Sequence, residues 1–189
     1  VDGAASLATP FYGLHAAGLW QGERGSNLLD TGAPHYDCYE CSDGRWISIG
    51  PIEARFHAEL VRRLGLSADD IGAPDDRDRW PRARAAFTRI FKTRTRDEWC
   101  SLFEGTDVCF APVLSFEEAP AHAHLKARGT FLEVDGVSQP APAPRFSATP
   151  SARPTGPEAP GGVAALGGWL PQDRITAWQH LLQEQGTTP

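Results

Sequence analysis

The sequence predicts an α+β domain over roughly residues 35–145, and three observations carry that expectation. Strand and helix patterns are mixed along the chain without regular alternation, which argues against a doubly wound α/β sheet. The alternating run His35-Tyr36-Asp37-Cys38-Tyr39-Glu40-Cys41 meets Ser42-Asp43-Gly44 and then Arg45-Trp46-Ile47-Ser48-Ile49-Gly50. That is two strands joined by an Asp-Gly turn. From Ile52 the apolar period changes: Ile52, Phe56, Leu60 and Leu64 recur every four residues, as on one face of a helix.

The elements follow in order. Residues 1–20 read as helical up to Pro10 and broken after it, because a proline inside a helix removes a hydrogen bond. Residues 21–34, QGERGSNLLDTGAP, are rich in turn formers and read as a connecting loop. After the hairpin, the helix that begins near Ile52 stops at Gly65, a left-handed C-cap residue. Residues 67–79 are polar, contain Pro74, and form a loop or short turn. A second helix starts near Trp80-Pro81, with Trp80, Ala83, Phe87, Ile90 and Phe91 as its apolar stripe. Thr95 and Glu98 form a capping box for a third helix, which carries Trp99, Leu102 and Phe103 and ends at Gly105. Residues 108–114, VCFAPVL, make a short buried strand. Ser115-Phe116-Glu117-Glu118 opens a short helix near 117–123. TFLEVDG and VSQPAPAP form a last extended pair with proline at its edge. Residues 147–162 are a Pro-rich linker, and a final helix runs from about Pro171 to Gln185, with Ile175, Trp178, Leu181 and Leu182 on one face. The expected organisation is therefore 1–34, 35–145 and 146–189, with the first and last segments reaching outward.

Composition narrows the function classes. A hydrophobic share of 41% and a charged share of 22% fit a globular protein. A net charge of -6 excludes a general nucleic-acid binder, which needs a basic footprint. No apolar run is long enough for a bilayer; 1–20 comes closest, but Asp2, Pro10, His15 and three glycines interrupt it. No membrane or nucleic-acid partner is expected, and the location expected is cytoplasmic. The chain has no methionine and opens on Val1-Asp2-Gly3-Ala4 without a clear cap, so a piece of a longer protein is expected.

Several motifs invite chemistry. Cys38 and Cys41 form a C-x-x-C, but zinc needs four ligands, and Cys100 and Cys109 do not make a second knuckle. On a strand, positions 38 and 41 also point to opposite faces. Free thiols in a reducing compartment are the reading here, with no metal and no disulfide. Residues 77–96 hold eight basic side chains and one acid, Asp78; Arg82, Arg84 and Arg89 fall off the apolar stripe and read as a solvated face. His122 and His124 sit at a short helix or its end with no acid cluster nearby, and a surface role is expected.

Glu53 is the residue in question. The periodicity puts it in the first turn of a helix, where an acid faces the positive end of the helix dipole. His57, four residues on, is placed to touch it, and a Glu-His pair can shuttle a proton. The pattern alone leaves both a helix-start charge and a catalytic carboxylate open.

The surroundings are recognisable. RGSNLLDTGAPHYDCYECSDGRWISIGPIEARFHAELVRRLGL strongly resembles the middle of the α-methylacyl-CoA racemases, members of the family III CoA-transferase superfamily. TRTRDEWCSLFEGTDVCFAPVLSFEEAPAHAHLKARGTF and QPAPAPRFSATP continue the likeness, which covers roughly residues 1–150 and weakens beyond. By that resemblance 35–145 is the small α+β domain of the family fold. Residues 1–34 are the end of the large Rossmann-like domain and an outgoing linker, and 146–189 a returning linker with a terminal helix. Most of the large domain is absent.

The resemblance implies more about the site. Glu53 matches the small-domain glutamate of the active site, working with a histidine and an aspartate of the large domain across an interlaced homodimer. None of His15, His35 or His57 matches that histidine. Leu29 and Tyr36 match positions lining the acyl-CoA pocket. Ala54 and His57 depart from the proline and tyrosine common in the family, and His57 is placed to bond Glu53 and alter its acidity. The implied function is interconversion of (R)- and (S)-2-methylacyl-CoA by removal and return of the α-proton. The coenzyme A thioester is then the substrate, with no separate cofactor. Two alternatives stand beside it: transfer of CoA between carboxylic acids, and a non-catalytic fragment serving as a dimerisation or binding module.

Overall fold

The computed structural model describes residues 1–157 and 162–184 and falls into two compact units, Val1–Ser115 and Phe116–Pro189. That division cuts within the 35–145 span expected to be one unit.

The first unit opens with two short helices, α1 (Asp2–Leu7) and α2 (Thr9–Ala16). Pro10 lies in the first turn of α2, so it starts a helix instead of ending one; its missing N–H costs nothing there. Strands β1 (Asp37–Glu40) and β2 (Trp46–Ile49) pair antiparallel in the expected hairpin. Helix α3 (Ala54–Leu64) ends as expected on Gly65 at φ 66°, a conformation that favours glycine. Residues 67–79 contain more structure than a loop: α4 (Ala68–Ile71) and a 3₁₀ turn at Arg77–Arg79. Helix α5 (Trp80–Phe91) and helix α6 (Arg96–Phe103) follow, and both arms of the Thr95–Glu98 capping box are formed. Strand β3 (Phe110–Val113) returns to pair with β2, giving the antiparallel order β1-β2-β3.

Register decides what each face of this sheet does. Tyr39 pairs with Ile47 and Ile47 with Pro112; Cys38 pairs with Ser48 and Ser48 with Ala111. Because side chains alternate across a strand, Tyr39, Ile47, Ile49 and Phe110 face one way, and Cys38, Ser48 and Ala111 the other. The first face packs on α5 and α6 through a chain of rings: Tyr39–Phe91, Phe91–Trp99, Trp99–Phe103 and Phe103–Phe110, with centroids 5.2–5.4 Å apart. The polar tips are bonded, Tyr39 Oη donating to the Pro34 carbonyl at 2.6 Å and Trp99 Nε1 to that of Phe91 at 2.9 Å, as buried Tyr and Trp require. The second face is left open.

The second unit holds α7 (Glu118–Ala121), α8 (Ala123–Ala127), the hairpin β4 (Phe131–Val134) and β5 (Val137–Pro140), and α9 (Gln172–Glu184). Asp135 and Gly136, both at positive φ, make the hairpin turn. Residues 147–157 contain no regular element; the rest of the expected linker, 158–161, and Gln185 lie outside the described residues. Of the α9 stripe, Ile175 is buried while Trp178 and Leu181 remain exposed. Among the described residues no helix is long and apolar enough to cross a membrane.

Candidate active site

The open face of the sheet forms the floor of a cleft of about 520 Å³. Cys38, Ser48 and Ala111 line it, with Gly50 and Cys109 at the end of β2 and the start of β3. The wall is the segment before β1, which contributes Leu29 and Tyr36. Both residues expected to line an acyl pocket therefore border one cleft.

Local hydrogen bonding fixes this wall. Asn27 is buried; its Nδ2 donates to the Gln21 carbonyl at 3.0 Å and to Asp30 at 2.8 Å. Burial alone would raise the Asp30 carboxyl, but donors from Asn27, Gly25 and Gly32 outweigh it and hold the pKa below the ordinary value. Gly32 is required: a Cβ there would lie 2.5 Å from the Asn27 carbonyl oxygen. Leu29 is thus carried at the tip of a tied loop. The Tyr36 ring lies 3.4 Å from where a Cβ on Gly50 would sit, so the absence of a side chain there lets the ring lie against β2.

Arg84 clamps the wall to α5. It pairs with the Asp37 carboxylate and donates to the carbonyls of Thr31 at 2.6 Å and Gly32 at 3.1 Å. The helical pattern assigned Arg84 to a solvated face; it is instead a fork reaching three acceptors, a geometry that suits guanidinium. Arg77 acts similarly, donating to the carbonyls of Ser26 and Leu19 and stacking on Trp80.

Glu53 stands at the N-cap of α3 and not inside its first turn; its backbone is extended, at φ -73° and ψ 138°. Its side chain makes no cap hydrogen bond, while its carbonyl accepts from the N–H groups of Phe56 and His57 at 3.0 Å each. The exposed carboxylate is therefore not consumed by the helix it starts. It follows Gly50 by three residues, and its charge is felt in the cleft. Burial first, then the carboxylates of Glu53 and Asp107, push the Cys109 thiol up. Cys109 sits at φ 51° and accepts the Gly50 N–H at 2.9 Å, tying β3 to the loop that delivers Glu53.

His57 does not touch the Glu53 carboxylate. It is buried, and its ring meets that of His35 edge to face at 5.3 Å. The spacing that suggested a Glu-His contact turns His57 to the core side of α3 instead. Cys38 is exposed and Cys41 buried, and both are free thiols. Burial first, then nearby Asp43, push the Cys41 thiol up to about 11. His122 lies between α7 and α8 and His124 within α8. Among the described residues no three His, Cys, Asp or Glu side chains gather to hold a metal.

The Asn27–Asp30 network, the Arg84 clamp and the His35–His57 contact are not among the expectations drawn from the sequence. The first had a signal, the Asn, Asp and Gly spacing of SNLLDTG, since Asn and Asp bond backbone two or three residues away. The other two join residues far apart in the chain and had none.

Known proteins resemble this chain over most of its length. Residues 1–162 match CoA-transferase family III. The chain is 40% identical over 153 residues to α-methylacyl-CoA racemases of Mus musculus and Homo sapiens, a match that covers 80% of this chain and 40% of each relative. The chain therefore spans about 40% of the length of the curated relatives it matches. In fold it is similar to a crystal structure of Rv3272 from Mycobacterium tuberculosis. The TM-score is 0.56 at 14% identity, over 79% of this chain and 39% of that one.

Proposed function

The chain belongs to CoA-transferase family III, and from that premise we propose that it is part of an acyl-CoA racemase, with Glu53 as one member of its acid–base set. The observation that carries this reading is an N-cap carboxylate that makes no cap hydrogen bond and whose charge reaches Cys109, a residue of the cleft bordered by Leu29 and Tyr36. It is supported by the likeness to the mouse and human racemases.

The α-proton beside a thioester is weakly acidic. Inverting that carbon needs a base on one face, an acid on the other, and donors that stabilise the enolate between them. Glu53 takes the proton from one face. One carboxylate does not reach both faces, so the second group comes from a part of the protein outside these residues, in an interlaced homodimer. Leu29 and Tyr36 hold the acyl group against the sheet. The acyl-CoA is the substrate, the scheme calls for no resident cofactor, and the enzyme works in the cytoplasm.

The test is Glu53→Gln in a polypeptide of the relatives' full length, followed by exchange of the α-proton with solvent deuterium. Removing a proton acceptor while keeping its shape is expected to lower kcat by roughly 10²–10⁴-fold. The melting temperature should barely move, because a helix-start acid contributes only about 0.3–1 kcal/mol. Normal exchange with a lower melting temperature would make Glu53 a helix-start charge and nothing more. Release or transfer of CoA without exchange would instead identify a transferase. The 189 residues alone are expected to exchange at background rate, since they hold one of the two groups; exchange above background that depends on Glu53 would show that a local partner suffices.

A further inference from the structure

Two buried imidazoles lie behind the cleft, and the proposed chemistry uses neither. His35 is 3% exposed and His57 8%. Their rings meet at 5.3 Å with planes at 86°. His57 lies one turn into α3, its N–H bonded to the Glu53 carbonyl. His35 directly precedes Tyr36, which rests on Gly50. The ring contact therefore joins the segment that carries Tyr36 to the helix that begins at Glu53.

Nothing charged answers these rings. On α3 and its N-cap, Glu59 is bound by Arg62 and Arg63, Glu53 makes no side-chain cap hydrogen bond, and Arg55 lies over Phe56. On the preceding segment, Asp30 is occupied by Asn27 and backbone amides. His35 also lines an apolar pocket with Trp20, Leu28, Ile52 and Trp80, where the charged wall residues are Asp75 and Arg77. Arg77 there is committed to two carbonyls. Among the described residues neither imidazole makes a side-chain hydrogen bond. A neutral imidazole packs in such a place as an aromatic ring does. An imidazolium would be a buried charge without a partner, which is costly, and it would lie against a second ring of the same kind.

We propose that His35 and His57 are positioning residues: as a neutral pair they hold Tyr36 and Glu53 in register at the cleft, and protonation releases that register before the unit unfolds. The proposal rests on the reading of Glu53 given above, but its test does not use that reaction. Burial first and then His57 bring His35 down to about 4, and burial lowers His57 as well; the ordinary value is about 6.5. Because the folded values lie below the unfolded one, the contribution of the pair is complete above about pH 6.5 and is lost as the pH falls toward 4.

The experiment is an NMR titration of the chain from about pH 8 to about pH 2.5, a range that brackets the His35 value of about 4, following the histidine Cε1 protons and the Gly50 α-protons, which feel the Tyr36 ring current. His35 and His57 are expected to stay neutral at pH values where an ordinary histidine titrates, about 6.5. The Gly50 shift should then collapse as they protonate, while the Phe91 and Trp99 signals of the core persist. In H35F/H57F, which keeps the rings and removes the protons, the Gly50 shift should survive about one pH unit further into acid. Both rings titrating near 6.5, or a Gly50 shift unmoved through their protonation, overturns the proposal from the parent chain alone, even if the double variant fails to fold. An inactive Glu53→Gln enzyme with a pH-independent Gly50 signal sinks the pair and leaves the reaction standing; a working pair beside a fully active Glu53→Gln enzyme does the reverse.

Discussion

The two units of the molecule are built on different terms. In Val1–Ser115 a three-stranded sheet buries one face under α5 and α6, and the rings from Tyr39 to Phe110 form a continuous core. In Phe116–Pro189 the sheet is a two-stranded hairpin, and large apolar side chains such as Phe116, Phe146 and Trp169 face outward. A two-stranded hairpin by itself is marginal in water, and among the described residues Ile175 is the one buried apolar side chain of the second unit. The lesson for function is placement. A group that must meet a reacting carbon within a fraction of an ångström belongs on a well-packed unit, and Glu53, Leu29 and Tyr36, the residues of the proposed site, all lie in the first.

The largest effect that would break this contrast is at its centre. Phe91 is fully buried and touches Tyr39, Phe87 and Trp99. Phe91→Ala is expected to cost about 3–5 kcal/mol, a large part of the 5–15 kcal/mol typical of a domain. The measurement is urea unfolding followed by tryptophan fluorescence. A loss under about 1 kcal/mol would mean the ring chain is not the core it looks to be.

A smaller effect sharpens the account of the cleft wall. Arg84 holds Asp37 and the carbonyls of Thr31 and Gly32, and Asp37 is largely covered. Arg84→Ala leaves those acceptors without their donor and is expected to cost about 1–3 kcal/mol. Arg84→Lys should recover little, because an ammonium does not reproduce the fork. If Arg84 were the solvated-face residue its helical position suggests, both changes would stay within about 0.5 kcal/mol in the same urea experiment.

Arg84 also shows where a sequence stops being legible. The hairpin at 37–49, the Gly65 stop and the Thr95 capping box are decided by residues within a few positions of each other, and all three form as their local chemistry requires. The family likeness marks Leu29 and Tyr36 as lining an acyl-CoA pocket, and both border the cleft over the open face of the sheet. Arg84 is different, since its acceptors lie 47–53 residues away and periodicity sees only that it is off the stripe. His57 fails for the same reason. Four-residue spacing allows a contact with Glu53, but burial against His35, 22 positions earlier, decides the ring's direction. The break after Ser115 is likewise set by how contacts group in space, which no turn signal announces.

The smallest effect is expected where the contrast predicts none. Phe116 opens the second unit and is 96% exposed. Truncating a buried phenylalanine forfeits both the transfer of its ring out of water and the contacts of a packed cavity. An exposed ring has neither to lose. Phe116→Ser is therefore expected to shift the unfolding free energy of the chain by no more than about 0.5 kcal/mol, against several for Phe91→Ala under identical conditions. The solubility of the chain should rise, since a large apolar side chain leaves the surface. A loss above about 1 kcal/mol for Phe116→Ser would show that this ring is covered in solution. The second unit would then possess a core of its own, and confining precise chemistry to the first unit would lose its physical reason.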